Sequence, residues 1–188
     1  MFVMSRRAAL ASLGLGVGAA LLSKRASATL VRGMSLAELV GRSQHAVIGT
    51  PLAARCLYAT IGGRRMLVTE TQLRVDGTFG LVAPHESELR VRTLGGQLGN
   101  VGELVHGQAQ LEKGRLCAAF FERTPEGECW VTGMAQGHYP LDSVDSAWVL
   151  RQSPQLPTIR DWEQSAVKHL VGARLSEAER LVAEASHR

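Results

Sequence analysis

The segment from Glu88 to Arg123 constrains the fold most, because it joins two strand-like runs through a connection that is rich in glycine. In the first run, Leu89 to Leu94, apolar and charged residues alternate with the two-residue period of a half-buried strand. The second run, Leu116 to Phe121, is the most apolar strand that the sequence predicts. Glycine permits positive φ angles and close backbone approach, so we expect the connection to be a shaped loop and no regular element.

A pair of strands is predicted before this segment. Gly62-Gly63 is a turn signal between an extended run, Arg55 to Ile61, and a return strand, Arg64 to Val75. A separate buried strand, Ala46 to Thr50, is expected to end at Pro51. The two-residue period of the return strand places five residues on one face: Leu67, Thr69, Thr71, Leu73 and Val75.

Helices are expected at both ends of this strand-rich region. Ser35, followed three residues later by Glu38, forms a capping-box pattern, which predicts a helix over Ser35 to Arg42. A linker, residues 153–157, precedes two amphipathic helices, which pack on the β-domain or dock on a partner. The fold class is therefore mainly β (α+β), with a small OB-like β-barrel at residues 29–152 and a linker with a helical tail at residues 153–188.

The first 28 residues have the pattern of a targeting segment. A basic start that contains Arg6 and Arg7 precedes a short, glycine-rich apolar run, and Ala26-Ser27-Ala28 fits the small-residue cleavage pattern. This segment resembles a bacterial twin-arginine (Tat) signal peptide. The resemblance implies export by the Tat translocase to the periplasm or beyond, with no stable membrane span after cleavage. An ordinary Sec signal and an uncleaved N-terminal anchor are the alternatives.

The charge of the chain is concentrated in that segment. The chain has 21 Lys and Arg residues and 17 Asp and Glu residues. Four of the basic residues and none of the acidic ones lie before residue 29, so the mature chain carries 17 of each. A basic surface is the usual sign of nucleic-acid binding, and the excess of basic residues is removed when the signal peptide is cleaved. We therefore expect no nucleic-acid partner.

Candidate ligand-binding residues lie in the glycine-rich connection and near it. The spacing of Gly96, Gly99 and Gly102 fits neither phosphate-binding glycine pattern, which argues against a nucleotide cofactor. Neither an HExxH motif nor a zinc-binding Cys/His spacing is present, so no cofactor and no metal are expected. The remaining interpretation is a loop that contacts a ligand through its backbone. The candidate ligand-binding residues are Gly95, Gly96, Gly99, Asn100, His106 and His138.

The three cysteines leave several interpretations open. Cys117 and Cys129 are closest in sequence and form a candidate disulfide in an oxidising compartment. The alternative is that Cys56 and both of these residues are small buried apolar side chains. A Cys–His enzyme site is a further alternative, although Cys117 lies in an apolar strand, where thiols are generally inert.

Residues 34–137 resemble a family of exported bacterial proteins whose β-domain contains a TLGG sequence. The matching segments are Met34–Leu39, Val47–Gly49, Arg92–Gly96, Val105–Gly107, Gly114–Cys117 and Val131–Gly137. The resemblance implies export and a shared architecture, and it transfers no catalytic residue. A weaker analogy, to OB-like barrels with five short strands and a helix, supports the same fold class.

The sequence favours an exported, non-enzymatic β-barrel module that binds a protein partner or another ligand. A periplasmic hydrolase or redox enzyme that uses His106, His138 and one cysteine is the second hypothesis. The third is an assembly factor that docks on a partner through its C-terminal helices.

Overall fold

The structure is a computed structural model that describes residues 30–82 and 84–187. The predicted signal peptide at residues 1–28, with Arg6 and Arg7, lies outside the described residues. The described chain is mainly β, as the sequence predicts, and its helices lie near the two ends.

Eleven strands and three α-helices make up the described chain. The strands are β1 (Leu30–Arg32), β2 (His45–Ile61), β3 (Arg64–Thr78), β4 (Glu88–Leu94), β5 (Gly96–Leu98), β6 (Val101–Glu103), β7 (Cys117–Arg123), β8 (Cys129–Val131), β9 (His138–Val144), β10 (Ala147–Leu150) and β11 (Thr158–Arg160). The helices are α1 (Leu36–Arg42), α2 (Ala166–Leu170) and α3 (Leu175–Ser186). Two short 3-10 helices cover Met134–Gly137 and Trp162–Gln164.

Seven strands form the main sheet in the order β10-β9-β7-β2-β3-β4-β8. Strand β7 also pairs with β8, so β7 has three strand partners in this sheet. The β4–β8 pair is parallel, and the other pairs of the sheet are antiparallel. The described residues also form two small sheets: a β5–β6 hairpin, and a parallel pair of β1 with β11.

The longest pair, β2 with β3, turns at Gly62-Gly63, where both residues have positive φ, as the turn signal predicts. The expected end of a strand at Pro51 is wrong. Pro51 is opposite Leu73 and Ala53 is opposite Gln72, so Leu52 is an extra residue in a bulge. A bulge accommodates proline because the local pairing is already interrupted, and β2 therefore continues to Ile61.

The main sheet carries apolar residues on both faces. The inner-face cluster contains Val47, Leu73, Leu89, Val91, Ala109, Cys117, Ala119, Phe121, Cys129 and Val131. The outer-face cluster joins the other side of the sheet to the helices, and it includes Ala46, Phe79, Ala118, Phe120 and Tyr139. Successive residues of β7 alternate between the two clusters. This alternation explains why β7 is an unbroken apolar run, because neither of its faces meets water.

Helix α1 begins where the sequence predicts. Ser35 is its N-cap, and its Oγ accepts a hydrogen bond from the Glu38 amide at 3.1 Å. The Glu38 carboxylate instead pairs with Arg32, so only half of the capping box forms.

The C-terminal helices share a core with the sheet. The chain forms β11 directly after the predicted linker, and the two helices start later than expected, at Ala166 and Leu175. Leu170 and Val182 are fully buried in the outer-face cluster with Leu39 and Phe120. Of the two outcomes that the sequence leaves open for the helical tail, the structure shows packing on the sheet.

Candidate functional site

The glycine-rich connection is a hairpin, and the expectation of an irregular loop is wrong. Strands β5 and β6 pair across a two-residue turn, in which Gly99 has a φ of 62° and Asn100 does not have positive φ. A glycine at the first central position is typical of a type II′ turn, which suits the twist of short hairpins. The glycines here therefore form a regular element.

Gly95 and Gly96 lie where this hairpin packs closely against the sheet. Both have positive φ, 87° and 133°. A Cβ atom on Gly95 would lie 2.6 Å from the Glu103 carbonyl oxygen, and one on Gly96 would lie 2.5 Å from Cys56 Sγ. The Gly95 amide donates to the Leu67 carbonyl at 2.8 Å. Only glycine fits at these two positions, because both the dihedral angles and the surrounding space exclude a side chain.

A cleft of about 560 Å³ lies between this hairpin, the inner face of β3 and β4, and residues 104–112. Its polar lining consists of three hydroxyls, four amides and two carboxylates: Thr69, Thr71, Thr93, Gln97, Gln108, Gln110, Gln155, Glu103 and Glu112. Leucine, valine and alanine side chains and glycine backbone complete the wall. Among the described residues, no Lys, Arg, His or aromatic side chain lines the cleft. The volume lies within the range of small-ligand sites.

Three of the lining residues are mostly buried, and they place polar side chains in the wall of the cleft. Thr71, Thr93 and Gln108 have exposed fractions of 2%, 6% and 9%. The hydrogen bonds among described residues include none from these three side chains, whereas Thr69 Oγ1 donates to the Gly95 carbonyl at 2.8 Å. Among the described residues, the Tyr139 hydroxyl is the one buried side-chain polar atom without a partner, so the polar atoms of Thr71, Thr93 and Gln108 open into the cleft and not into a closed interior. These groups are therefore available to a ligand in the cleft.

The structure brings together two of the six predicted ligand-binding residues. Gly95 and Gly96 line the cleft. Gly99 and Asn100 are exposed at the tip of the hairpin, and His106 is exposed in the following segment. None of these three residues lines the cleft, so they do not form one site with Gly95 and Gly96.

His138 is a core residue. It is 2% exposed, and its Nδ1 lies 3.0 Å from Ser153 Oγ, which is also buried. Burial lowers the pKa of His138 to about 4, and the charge of Arg115 adds to the shift. The ring is therefore neutral at physiological pH and out of reach of a ligand.

The cysteines are free thiols, and the candidate disulfide is wrong. Cys129 pairs with Arg123, at the end of β7 opposite to Cys117. At about 3.3 Å per residue, roughly 20 Å of strand separates the two thiols, far more than a disulfide spans. Burial raises the pKa of Cys117 to about 12 and that of Cys129 to about 11.

Cys56 differs from the other two cysteines. It is partly exposed, and its Sγ accepts a hydrogen bond from the Gln97 amide at 3.2 Å. The same sulfur lies 3.3 Å from Thr69 Oγ1. Because Gln97 and Thr69 both line the cleft, Cys56 lies directly behind the cleft wall.

The opposite face of β2, β3 and β4 is a ladder of ion pairs. Glu70 accepts from Arg55 at 2.6 Å and from Arg92 at 3.4 Å, and Arg92 also pairs with Glu128. The hydrogen bond from Arg55 lowers the pKa of Glu70, with a further contribution from Arg92. Each carboxylate of this ladder is engaged by arginine. These residues hold the face of the sheet together and do not form a pair of free acids.

In the described residues, no three His, Cys, Asp or Glu side chains are grouped so that they could hold a metal ion. None of the helices within residues 30–82 and 84–187 combines the length and apolarity needed to cross a membrane. Comparisons with models of protein families, with curated proteins and with solved structures found no match to this chain.

Sequence reasoning missed most of the cleft. One signal was present: the two-residue period placed Thr69, Thr71 and Thr93 on the apolar, inward face of their strands. Polar residues at core-facing positions are uncommon and indicate a partner or a ligand. Gln108 and Glu112 lie in a segment without periodicity, where no sequence signal assigns them to the cleft.

Proposed function

We propose that this protein is an exported, non-enzymatic OB-like barrel module that binds a ligand in the cleft beside the glycine hairpin. The observation that carries the proposal is a set of mostly buried residues, Thr71, Thr93 and Gln108, whose polar side chains line the cleft and have no hydrogen bond within the described part of the chain. A ligand with hydrogen-bonding groups satisfies them. We name the cleft, with these residues and its walls, the Thr/Gln cleft.

The OB-like assignment is supported by the order of strand pairing. The pairs β2–β3, β3–β4, β4–β8, β8–β7 and β7–β2 return to the starting strand. With these strands numbered one to five in chain order, the circuit reads 1-2-3-5-4-1. A five-stranded, partly open Greek-key barrel is the architecture of the OB-fold, which binds ligands through its strand faces and loops.

Export is supported by the composition of residues 1–28. The test is to follow the full chain in a bacterial host that has a Tat system, beside a variant in which Arg6 and Arg7 are both replaced by lysine. The proposal expects cleavage and release into the periplasm for the natural sequence and retention for the variant. Equal export of both would indicate a Sec signal, and an uncut chain in the membrane would indicate an anchor.

The enzyme alternative gains no support from the geometry. It requires His106, His138 and a cysteine to meet, but His138 is buried and His106 is exposed outside the cleft. The assembly-factor alternative requires free apolar faces on α2 and α3. Leu170 and Val182, on those faces, are already buried against the sheet.

The binding proposal is tested with a variant that removes hydroxyls and keeps shape. Thr71→Val combined with Thr93→Val should leave the fold intact, because neither hydroxyl is hydrogen-bonded within residues 30–82 and 84–187. Thermal unfolding is measured for both proteins against a panel of short peptides, saccharides and amino compounds. A ligand at a hundred times its Kd stabilises the protein by about 2.7 kcal/mol.

The expected result is a compound that raises the unfolding midpoint of the natural protein and has a much smaller effect on the double variant. Substitution of Gly95 or Gly96 by valine is a poor test, because both positions exclude a side chain and the hairpin would be distorted. A panel in which every stabilising compound acts equally on both proteins would place binding outside the Thr/Gln cleft.

A further inference from the structure

Strand β6 has one edge without a strand partner. It pairs with β5 alone in the described sheets. Across the two-residue turn, Leu98 and Val101 form the hydrogen-bonded pair, so the next pair, Gln97 with Gly102, is not hydrogen-bonded. The Gly102 amide and carbonyl therefore point away from β5, and Gly102 lines the Thr/Gln cleft. An unpaired edge with free backbone groups is a template for an extended chain.

The charge of the Thr/Gln cleft selects its occupant. Two carboxylates, Glu103 and Glu112, line it, and the described lining contains no basic side chain. One oxygen of Glu103 accepts from the Leu67 amide at 3.3 Å, and Glu112 pairs at 3.1 Å with Arg115, which is not part of the lining. Anions are repelled from such a cleft, and the absence of an aromatic wall removes the stacking surface that nucleic-acid bases use.

The hairpin wall also exposes apolar side chains. Leu98, Val101 and Leu104 have exposed fractions of 41%, 53% and 65%, and they lie within seven positions of one another beside the cleft. Leu98 and Val101 are directly opposite each other in the hairpin, and neighbouring exposed apolar residues of this kind are typical of protein interaction sites. An extended segment has alternating side chains, so one set contacts the apolar wall while the other enters the cleft.

We propose that the occupant of the Thr/Gln cleft is an extended segment of another polypeptide that adds to the edge of β6 and places a lysine or arginine side chain between Glu103 and Glu112. The inference rests on the proposed function, and it assigns a class of partner to the same cleft. Main-chain hydrogen bonds at Gly102 give the affinity, and the amides of Gln97, Gln108 and Gln110 pair with peptide groups of the segment.

Gly102 offers a sharp test. A Cβ there would meet only the Gly96 carbonyl oxygen, at 3.9 Å, and Gly102 does not have positive φ. Gly102→Pro removes the outward amide hydrogen without removing a bond of the hairpin, because the position is not bonded to β5. Gly102→Ala is the matched control that keeps this hydrogen. Circular dichroism and the unfolding midpoint confirm that each variant is folded.

A displayed library of short random peptides is selected on the immobilised protein, and the enriched peptides are then measured for affinity. We expect enrichment of peptides with Lys or Arg beside apolar residues. Gly102→Pro should weaken their binding roughly two- to tenfold, the worth of one hydrogen bond, while Gly102→Ala should not. Glu103→Gln should weaken binding about two- to fivefold and reduce its salt dependence, and Glu126→Gln, in an exposed turn, is the charge control.

Four outcomes would overturn the inference. Enriched peptides that are acidic, or whose affinity is equal for Gly102→Pro and Gly102→Ala, would show that the β6 edge and its charge do not select the partner. A saccharide or amino compound that needs the Thr71 and Thr93 hydroxyls, with no enriched peptide, would retain the ligand cleft and reject a polypeptide partner. Binding by neither probe would reject the cleft itself.

Discussion

Three buried polar groups in this molecule show how the surroundings of a residue decide its role. His138 is paired with Ser153, Tyr139 has a hydroxyl without a partner among the described residues, and Thr71 faces an open cleft. The His138–Ser153 hydrogen bond is structural, the unpaired Tyr139 hydroxyl lowers stability, and the Thr71 hydroxyl is open to a ligand. Burial alone does not distinguish these cases. A hydrogen-bond partner sets His138 apart from the other two residues, and access to the cleft sets Thr71 apart from Tyr139.

His138 predicts how stability depends on pH. Its pKa is about 4 in the folded protein and about 6.5 in an unfolded chain, so only the unfolded state gains the proton between these values. Stability is therefore complete above pH 6.5 and is lost as the pH falls towards 4. We expect a loss of about 2 kcal/mol between pH 7 and pH 5, measured by urea unfolding.

The matched variant for this prediction is His138→Gln, which keeps a hydrogen-bonding group beside Ser153 and does not titrate. Its stability should be nearly constant between pH 7 and pH 5. The window avoids Glu70 and Asp76, whose lowered pKa values affect stability only below about pH 4.5. An equal pH slope in both proteins would assign the effect to another group.

Tyr139 predicts a stabilising substitution. Its ring packs edge-to-face on Phe120 at 6.3 Å between centroids, while its buried hydroxyl has no hydrogen-bond partner among described residues. Tyr139→Phe keeps the packing and removes the unsatisfied group, so we expect a gain of about 1 kcal/mol in urea unfolding. Tyr58→Phe, at a partly exposed ring, should change little. A loss of stability in Tyr139→Phe would mean that a bound water satisfies the hydroxyl.

At the scale of elements, the β5–β6 hairpin depends on two kinds of glycine. Gly96 has a φ of 133° and no room for a Cβ, whereas Gly102 has neither constraint. Gly96→Ala should cost roughly 2–4 kcal/mol, because backbone strain and overpacking against Cys56 add together. Gly102→Ala should change stability by less than about 1 kcal/mol. Both are measured by chemical unfolding, and equal losses would mean that hairpin flexibility governs both positions.

The elements that sequence could predict are those set by local rules. The Gly62-Gly63 turn, the Ser35 cap and the alternation of β4 follow from φ preference, capping and the two-residue period. The predicted end of a strand at Pro51 was wrong, because that rule considers the proline without its neighbours. In the fold, β2 pairs with β3 and β7, and a bulge beside Pro51 lets the strand continue. The glycine-rich connection was predicted to be an irregular loop, because composition does not show that two strands pair across its turn. That pairing makes it a hairpin.

The candidate site was predictable only where it includes glycine. Gly95 and Gly96 line the cleft, but the partners that give it chemistry come from β3, β4 and residues 104–112. These residues come together because of the order of the strands in the sheet, and the hydrophobic pattern of the sequence does not determine that order. The inward threonines were visible in the sequence as polar residues at apolar positions, and their lack of a partner required the structure.

At the scale of the whole molecule, the two ends of the described part of the chain close the outer-face core. Strand β1 pairs with β11, and the Met34 carbonyl accepts from the Ala166 amide at 2.7 Å. Gln136 ties the same region together, because its side chain accepts from the Met34 amide and donates to the Arg32 carbonyl. Helices α2 and α3 then cover Leu39, Phe79 and Phe120. The helices therefore complete one core instead of forming an appendage.

This arrangement predicts that truncation after Gln152 unfolds the protein. The deletion removes β11 and both helices, and it exposes the side chains that pack on Leu170 and Val182. The truncated protein should lose its near-ultraviolet circular dichroism and its cooperative urea transition.

A point substitution tests the same core. Leu170→Ala alone should lower the free energy of unfolding by about 2–5 kcal/mol, a large part of the stability of a domain this size. The exposed substitution His169→Ala, on the same helix, should leave unfolding unchanged. A truncated protein that still unfolds cooperatively would show that the sheet folds on its inner-face cluster alone, and would return the helices to the role of a docking tail.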